Sequence, residues 1–336
     1  MFGLRQSWSK LLAAVLGVVV GMAGTFASAA PSAEGLLAQG RVDDAIHSLE
    51  DKISYAPNDA ESHHLLCRAY FALENWDAGI RDCQKAVALE PANSQYHLWL
   101  GRLYGQKASH SEFLTAAGLA RKLRMEFETA VRLDPGNREA RADLAEFYVE
   151  APGIIGGGQD KAEAQAEALA QLDPPQAELV RAWIQEKNKD LPGAEGHYRR
   201  AADSSQGRAG AWMSLAQFYG RTGHLNQMQD ALDHALSAPN RSQVLMAAAE
   251  IFMHRTRDLR KAIDLLHQYL AARTVEDAPA FKAHYLLGTA LEQSGSPAAA
   301  ADEYRSALSL AKSFTLAQNA LDRLTREVSS SQGNSR

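Results

Sequence analysis

The sequence predicts an all-α chain, a solenoid of antiparallel helix pairs stacked one on the next. Three observations carry this. Of the 336 residues 46% are hydrophobic, alanine-rich stretches dominate, and β-branched runs are almost absent after the first 30 residues; that balance favours helix over strand. Short proline-bearing phrases recur, "ISYAPND", "VALEPAN", "VRLDPGN" and "AQLDPPQ". Their prolines keep a phase: Pro57 and Pro91 lie 34 residues apart, Pro135 follows after 44 and Pro174 after 39. A fixed period of that size marks helical units that lean on their neighbours.

Residues 1–29 read as an export signal. Arg5 and Lys10 form a positive start, Leu11 to Met22 an apolar core, and Ala27-Ser28-Ala29 a small-residue cleavage site. A retained anchor is the alternative, but the apolar core is shorter than the ~20 residues of a span. After cleavage no stretch is left that could cross a bilayer, and the chain is expected to be exported, periplasmic or secreted. The formal charge is -5; without the two cations of residues 1–30 it is -7, with 33 basic against 40 acidic residues. Such a balance gives no electrostatic footprint for nucleic acid or anionic lipid.

The array is expected over 34–312: one degenerate opening hairpin that keeps mainly its second helix, then seven more over 59–91, 94–135, 138–174, 176–207, 209–240, 243–276 and 281–312. Later copies keep the register, with Met228 and Ala262 following Ala194 at steps of 34, and Tyr198, Leu232, Leu266 and Tyr304 running in parallel. Residues 313–327 are amphipathic and expected to cap the last apolar face, and 328–336 to be a disordered polar tail.

Two phrases bring a family into view. "WMSLAQFYGRTGHLNQMQDALDHAL" supplies Trp212, Leu215, Ala216, Tyr219, Gly223, Leu232 and Ala235; "HYLLGTALEQSGSPAAAADEYRSAL" supplies Leu287, Gly288, Gly295, Ala300, Tyr304 and Ala307. These residues resemble the tetratricopeptide-repeat (TPR) motif, over about residues 34–325. The resemblance implies a right-handed superhelix with the first helix of each pair on the concave side.

Two hairpins depart from the pattern. The third carries ten extra residues, and Ser109 with Glu112 reads as a capping box that starts a long second helix near residue 110. That extension is a lid, a docking post or decoration. The fourth carries Pro152-Gly153-Ile154-Ile155-Gly156-Gly157-Gly158 between its helices. Either the glycines supply positive φ angles for an enlarged turn with Ile154 and Ile155 tucked inward, or Gly156, Gly157 and Gly158 offer free N–H groups to an anion.

Cys67 and Cys83 fall opposite each other in the second hairpin, the first at the small-residue position of the motif. They form a disulfide or stay as two buried thiols; a bond requires Cα atoms about 4.4–6.8 Å apart. No pair among the eleven histidines has the i, i+4 spacing of a metal site, and no catalytic motif appears. Neither a cofactor nor an enzyme is expected.

By the family's motif positions the groove-facing residues are His64, Arg68, Phe71, Arg102, Gln106, Glu146, Glu150, Trp183, Gln217, Arg221, Tyr285 and Thr289. Arg68 and Arg102 share a position in adjacent repeats. They either converge on a partner's carboxylate or pair internally with Glu61, Glu139 or Glu146. The expected function is a non-catalytic interaction scaffold of the cell envelope, binding a peptide or partner helix in the groove. The alternative is a periplasmic small-ligand or saccharide receptor using Trp183, Tyr285 and the glycine loop, which a closed aromatic pocket would favour.

Overall fold

A computed structural model describes residues 31–272 and 274–333, and the expected signal segment lies outside them. Among the described residues the chain is eight helical hairpins and a closing helix. The pairs are α1 (Ala33–Ala38) and α2 (Val42–Tyr55), α3 (Ala60–Ala72) and α4 (Trp76–Leu89), α5 (Ser94–Ser109) and α6 (Phe113–Leu133), and α7 (Arg138–Glu150) and α8 (Gln159–Leu172). They continue with α9 (Pro174–Lys187) and α10 (Leu191–Ser204), α11 (Ala209–Thr222) and α12 (Leu225–Ser237), α13 (Leu245–Ile251) and α14 (Leu259–Ala271), and α15 (Ala280–Gln293) and α16 (Pro297–Leu310), closed by α17 (Thr315–Gly333). The opening hairpin thus has a short first helix of its own. The closing helix runs through Gly333, so the polar residues from 328 expected to be disordered are helical as far as that point.

The recurrent proline phrases are helix starts. The second residue after the loop proline caps the next helix: Asp59 accepts from the Ser62 N–H at 3.0 Å, Asn93 from Gln95 at 3.1 Å and Asn137 from Ala140 at 3.0 Å, satisfying orphan donors of the first turn. Six residues past the proline, the first helix ties the loop down. His63 joins the Pro57 carbonyl and Asp82, and His97 joins the Pro91 carbonyl and Glu126. At the same place Arg141 donates to the Pro135 carbonyl at 2.7 Å.

Packing within a hairpin rests on a small residue facing a large one sixteen positions on. A Cβ added to Gly288 would stand 2.6 Å from the Tyr304 ring, so only glycine admits that approach. Cys67 and Cys83 have the same separation. They are fully buried, with Cα atoms 5.1 Å apart and the sulfurs at bonding distance. Between hairpins a tyrosine hydroxyl reaches back one unit: Tyr148 donates to Glu128 at 2.9 Å and Tyr219 to Glu195 at 2.8 Å. Tyr104 accepts from Gln84 at 2.9 Å.

The two departures differ from the sequence reading. The ten extra residues of the third hairpin are shared by both helices, α5 running to Ser109 and α6 starting only at Phe113. Ser109 bonds the Gln106 carbonyl at the end of α5, so it closes one helix instead of opening the next. In the fourth hairpin a 3-10 turn, Gly153–Ile155, leaves Ile154 87% exposed, not tucked inward.

The array closes on itself. Leu36, Leu37, Val42 and Leu49 of the first hairpin share one apolar cluster with Phe281, Ala307, Phe314 and Ala317 of the last elements. Polar ties flank it: Thr274 donates to the Ala38 carbonyl at 2.8 Å, the Lys312 N–H donates to Asp43 at 2.6 Å, and Lys282 pairs with Glu74 at 3.0 Å. Gly40, with φ +72°, sits under the Ala280 backbone, where a Cβ would meet the Ala280 nitrogen at 2.6 Å. The inner wall is therefore a channel, bounded where an open solenoid would have a gap.

Candidate functional site

The channel wall comes mainly from the first helices of hairpins two to six, because the alanines and glycines on their other faces are consumed in packing, with Leu123 and Phe127 of α6 and the α14–α15 connector completing it. Adjoining cavities of about 510, 380, 580 and 400 Å³ run along it and share wall residues. The first two meet at Arg68, Trp99 and Arg102, the next shares Phe71 and Arg102, and the last two share Glu146 and Glu150.

At one end of this path Trp99 is the pivot. The Arg68 guanidinium lies 5.6 Å and that of Arg102 5.1 Å from its ring centre, and Phe71 meets it edge-on at 5.3 Å. The arginines do converge, but both are engaged internally. Arg68 is held by Glu276 at 2.8 Å, and Arg102 by Asp143 at 2.6 Å and Glu139 at 3.0 Å. Burial opposes the charge of both, and the carboxylates outweigh it, so each guanidinium is held above its usual range. Glu276 was not among the expected partners; it lies on the α14–α15 connector, which crosses from the far end of the sequence. His64 is buried beneath this cluster, 4.6 Å from the Tyr96 ring, and its Nδ1 has no hydrogen-bond partner. Burial, then the nearby Arg68 charge, pull its pKa down to about 3.

Further along, the wall turns acidic. Glu146 makes no hydrogen bond or ion pair among the described residues. Partial burial, followed by repulsion from Asp143 and Glu150, pushes its carboxyl above the usual range. Lys187 is taken by Glu150 at 2.8 Å and Arg221 by Glu186 at 2.9 Å. Gln106 lines the same cavity as Glu146, and Trp183 lines the next.

Other expected residues fall elsewhere. Gln217 is exposed and lines none of these cavities. Tyr285 packs against Phe314 and Tyr304 where the array closes. Thr289 donates to the Tyr285 carbonyl within its own helix. The glycine loop has no free donors to give an anion: Gly156 N–H bonds the Gly153 carbonyl, Gly157 that of Pro152 and Gly158 that of Tyr148. Its outward carbonyls are met by Arg124 and Lys161. The saccharide site built on Trp183, Tyr285 and this loop is therefore not assembled.

Sequence reasoning missed Trp99 and Asp143, which sit at the sixth position of their helices, outside the motif positions used. It also missed Glu186, whereas Glu139, expected only as an internal partner for the arginines, does hold Arg102. No local signal marks Glu276 or Asp277. Among the described residues no group of histidine, cysteine, aspartate or glutamate side chains converges as a metal site.

Models described as tetratricopeptide repeat match residues 36–103 and 255–313. Among curated proteins none matches the sequence. Among solved structures the chain is similar to yeast Tom70, at 13% identity and a TM-score of 0.51, over 86% of this chain and 62% of that one. It thus spans less than two thirds of Tom70. It is similar too to a thermophilic TPR protein of Thermus thermophilus, at 19% identity and a TM-score of 0.44, over 60% of this chain and 94% of that one. Human IFIT1 is a third, at 14% identity and a TM-score of 0.42, over 81% and 69%. The Tom70 likeness speaks for the fold alone. The chain is an all-α helical repeat solenoid, with tetratricopeptide-repeat matches confined to residues 36–103 and 255–313.

Proposed function

We propose that this protein is a non-catalytic binding scaffold of the cell envelope, exported to the periplasm or secreted, that takes an extended peptide segment bearing a basic side chain into its channel. Tetratricopeptide-repeat proteins generally mediate protein–protein interaction, which supports the scaffold role. The observation that carries the ligand's charge is Glu146. Its carboxylate is unpaired on the wall of two adjoining cavities, while Arg68, Arg102, Lys187 and Arg221 already hold carboxylates. An incoming acid would have to break one of those pairs. An incoming lysine or arginine relieves the crowding of Asp143, Glu146 and Glu150 and forms a charge-assisted hydrogen bond. The paired cysteines support an oxidising compartment.

The test is fluorescence anisotropy with a labelled, unstructured peptide carrying two central lysines, against the same peptide with glutamines. The lysine peptide binds more tightly, and Glu146→Gln removes the difference. Equal binding of both peptides would eliminate the charge reading, and no binding of either would eliminate the channel as a peptide site. Cell fractionation with and without residues 1–29 tests the compartment.

A further inference from the structure

The outer end of the third hairpin carries chemistry that the channel does not use. Phe113 and Leu114, adjacent at the start of α6, are 84% and 83% exposed, and Met125 is 59% exposed. The inner face of the same stretch is well fixed, with Leu119 buried among Trp76, Trp99 and Leu123, so the exposed pair is not a packing failure. From Phe113 to Met125 the sequence FLTAAGLARKLRM holds three cations and no acid, inside a chain of net charge -5. Leu114, Gly118, Arg121, Lys122 and Met125 recur at helical spacing and share one exposed stripe about 16 Å long at 1.5 Å per residue.

The charges on that stripe are available. Arg121 has no ion pair among the described residues, and Lys122 only lies over the Tyr104 ring. The flanking acids are Glu112, exposed at the helix cap, and Glu126 and Glu128, which are held by His97 and Tyr148. Arg124 donates to the Ile155 carbonyl at 3.3 Å and ties the turn bearing exposed Ile154 to the same helix.

We propose that this end of the third hairpin docks on an anionic phospholipid surface, seating Phe113 and Leu114 among the acyl chains and Arg121 and Lys122 among the headgroups. An apolar tip followed by unpaired cations is the pattern of a helix that lies in the membrane interface. A protein groove would satisfy the apolar pair but has no need of a local charge reversal in an acidic chain. No described helix is long and apolar enough to cross a membrane, so the element rests on the bilayer.

The experiment uses the full chain with Leu114→Cys carrying an environment-sensitive fluorophore, selectively labelled because Cys67 and Cys83 are fully buried. Vesicles of phosphatidylcholine with phosphatidylglycerol shift its emission to the blue, vesicles of phosphatidylcholine alone do so far less, and added salt weakens the shift. In flotation with the anionic vesicles, Phe113→Ser/Leu114→Ser lowers the bound fraction at least about tenfold, as expected for two apolar side chains kept out of the acyl region. Arg121→Gln/Lys122→Gln abolishes the preference for anionic vesicles. Unchanged thermal unfolding shows that both variants fold. The proposal is overturned by no blue shift on anionic vesicles, by equal shifts on both vesicle types, or by flotation that ignores the serine variant. A blue shift given by an envelope protein and not by vesicles also overturns it and assigns the face to a protein contact.

Discussion

Glu276 holds Arg68 across 208 positions of sequence, its Oε1 accepting from the Arg68 Nε at 2.8 Å. The two residues belong to the second hairpin and to the α14–α15 connector, so this pair is one of the fastenings that turn a stack of hairpins into a closed channel. Tyr269 steadies the connector, its hydroxyl donating to the Ala278 carbonyl and accepting from the Val275 N–H.

Replacing Glu276 by Gln leaves a largely buried guanidinium without its counter-charge. The expected loss of stability is about 1–3 kcal/mol, read from urea unfolding, with a larger maximum dimension in small-angle X-ray scattering as the closure loosens. Glu74→Gln, at the more exposed Lys282 pair, is expected to cost under about 1 kcal/mol. Equal costs for the two variants would mean that Arg68 is not the critical fastening.

Stability should depend on pH through two histidines with opposite signs. His97 is raised above its ordinary value by its bond to Glu126. Its contribution is whole below the unfolded value of about 6.5 and is lost as pH rises through the folded value. His64 is depressed to about 3 by burial and then by Arg68. Here the unfolded chain takes a proton near pH 6.5 that the folded chain refuses, so stability falls between there and about pH 3. Urea midpoints from pH 4 to 8 check both: His97→Gln flattens the alkaline side, and His64→Leu flattens the acid side. A parallel shift of the whole curve would disprove either assignment.

A bond between the closely placed Cys67 and Cys83 would close a loop of sequence separation 16. In the chain-entropy model, removing such a link costs about 3 kcal/mol. Intact mass before and after reduction establishes the bond, and the melting temperature should drop on reduction. A protein that melts identically with and without reductant would mean two thiols that merely pack.

Close approaches set a further limit. Gly288→Ala drives a Cβ against the Tyr304 ring, and overpacking of this kind typically costs about 1–3 kcal/mol. Gly157→Ala collides with the Ala151 carbonyl and should destabilise similarly, while sulfate or phosphate protects neither variant nor wild type, because the loop donors are spent. Anion protection of the wild type against thermal unfolding would contradict that reading of the loop.

What the sequence determined by itself is the repeating unit. Helix starts at Asp59, Asn93 and Asn137, the facing pairs Cys67–Cys83 and Gly288–Tyr304, and the wall positions of Arg68, Arg102, Glu146 and Glu150 all follow from spacings within one or two hairpins, where 3.6 residues per turn and a period of 34 fix which side chains meet. Local pattern misled where insertions blurred the phase, as at Ser109 and Ile154. The tertiary structure alone decided that the ends meet. Small rotations between hairpins add up over eight units, and only that sum brings Phe281 and Phe314 onto Leu36 and Leu37 and carries Glu276 to Arg68. That in turn changed the chemistry of the wall: Arg68 is neutralised by Glu276 of the connector, whereas Arg102 is neutralised by Asp143 and Glu139 of the next hairpin, and the carboxylate of Glu146 is left without a partner among the described residues.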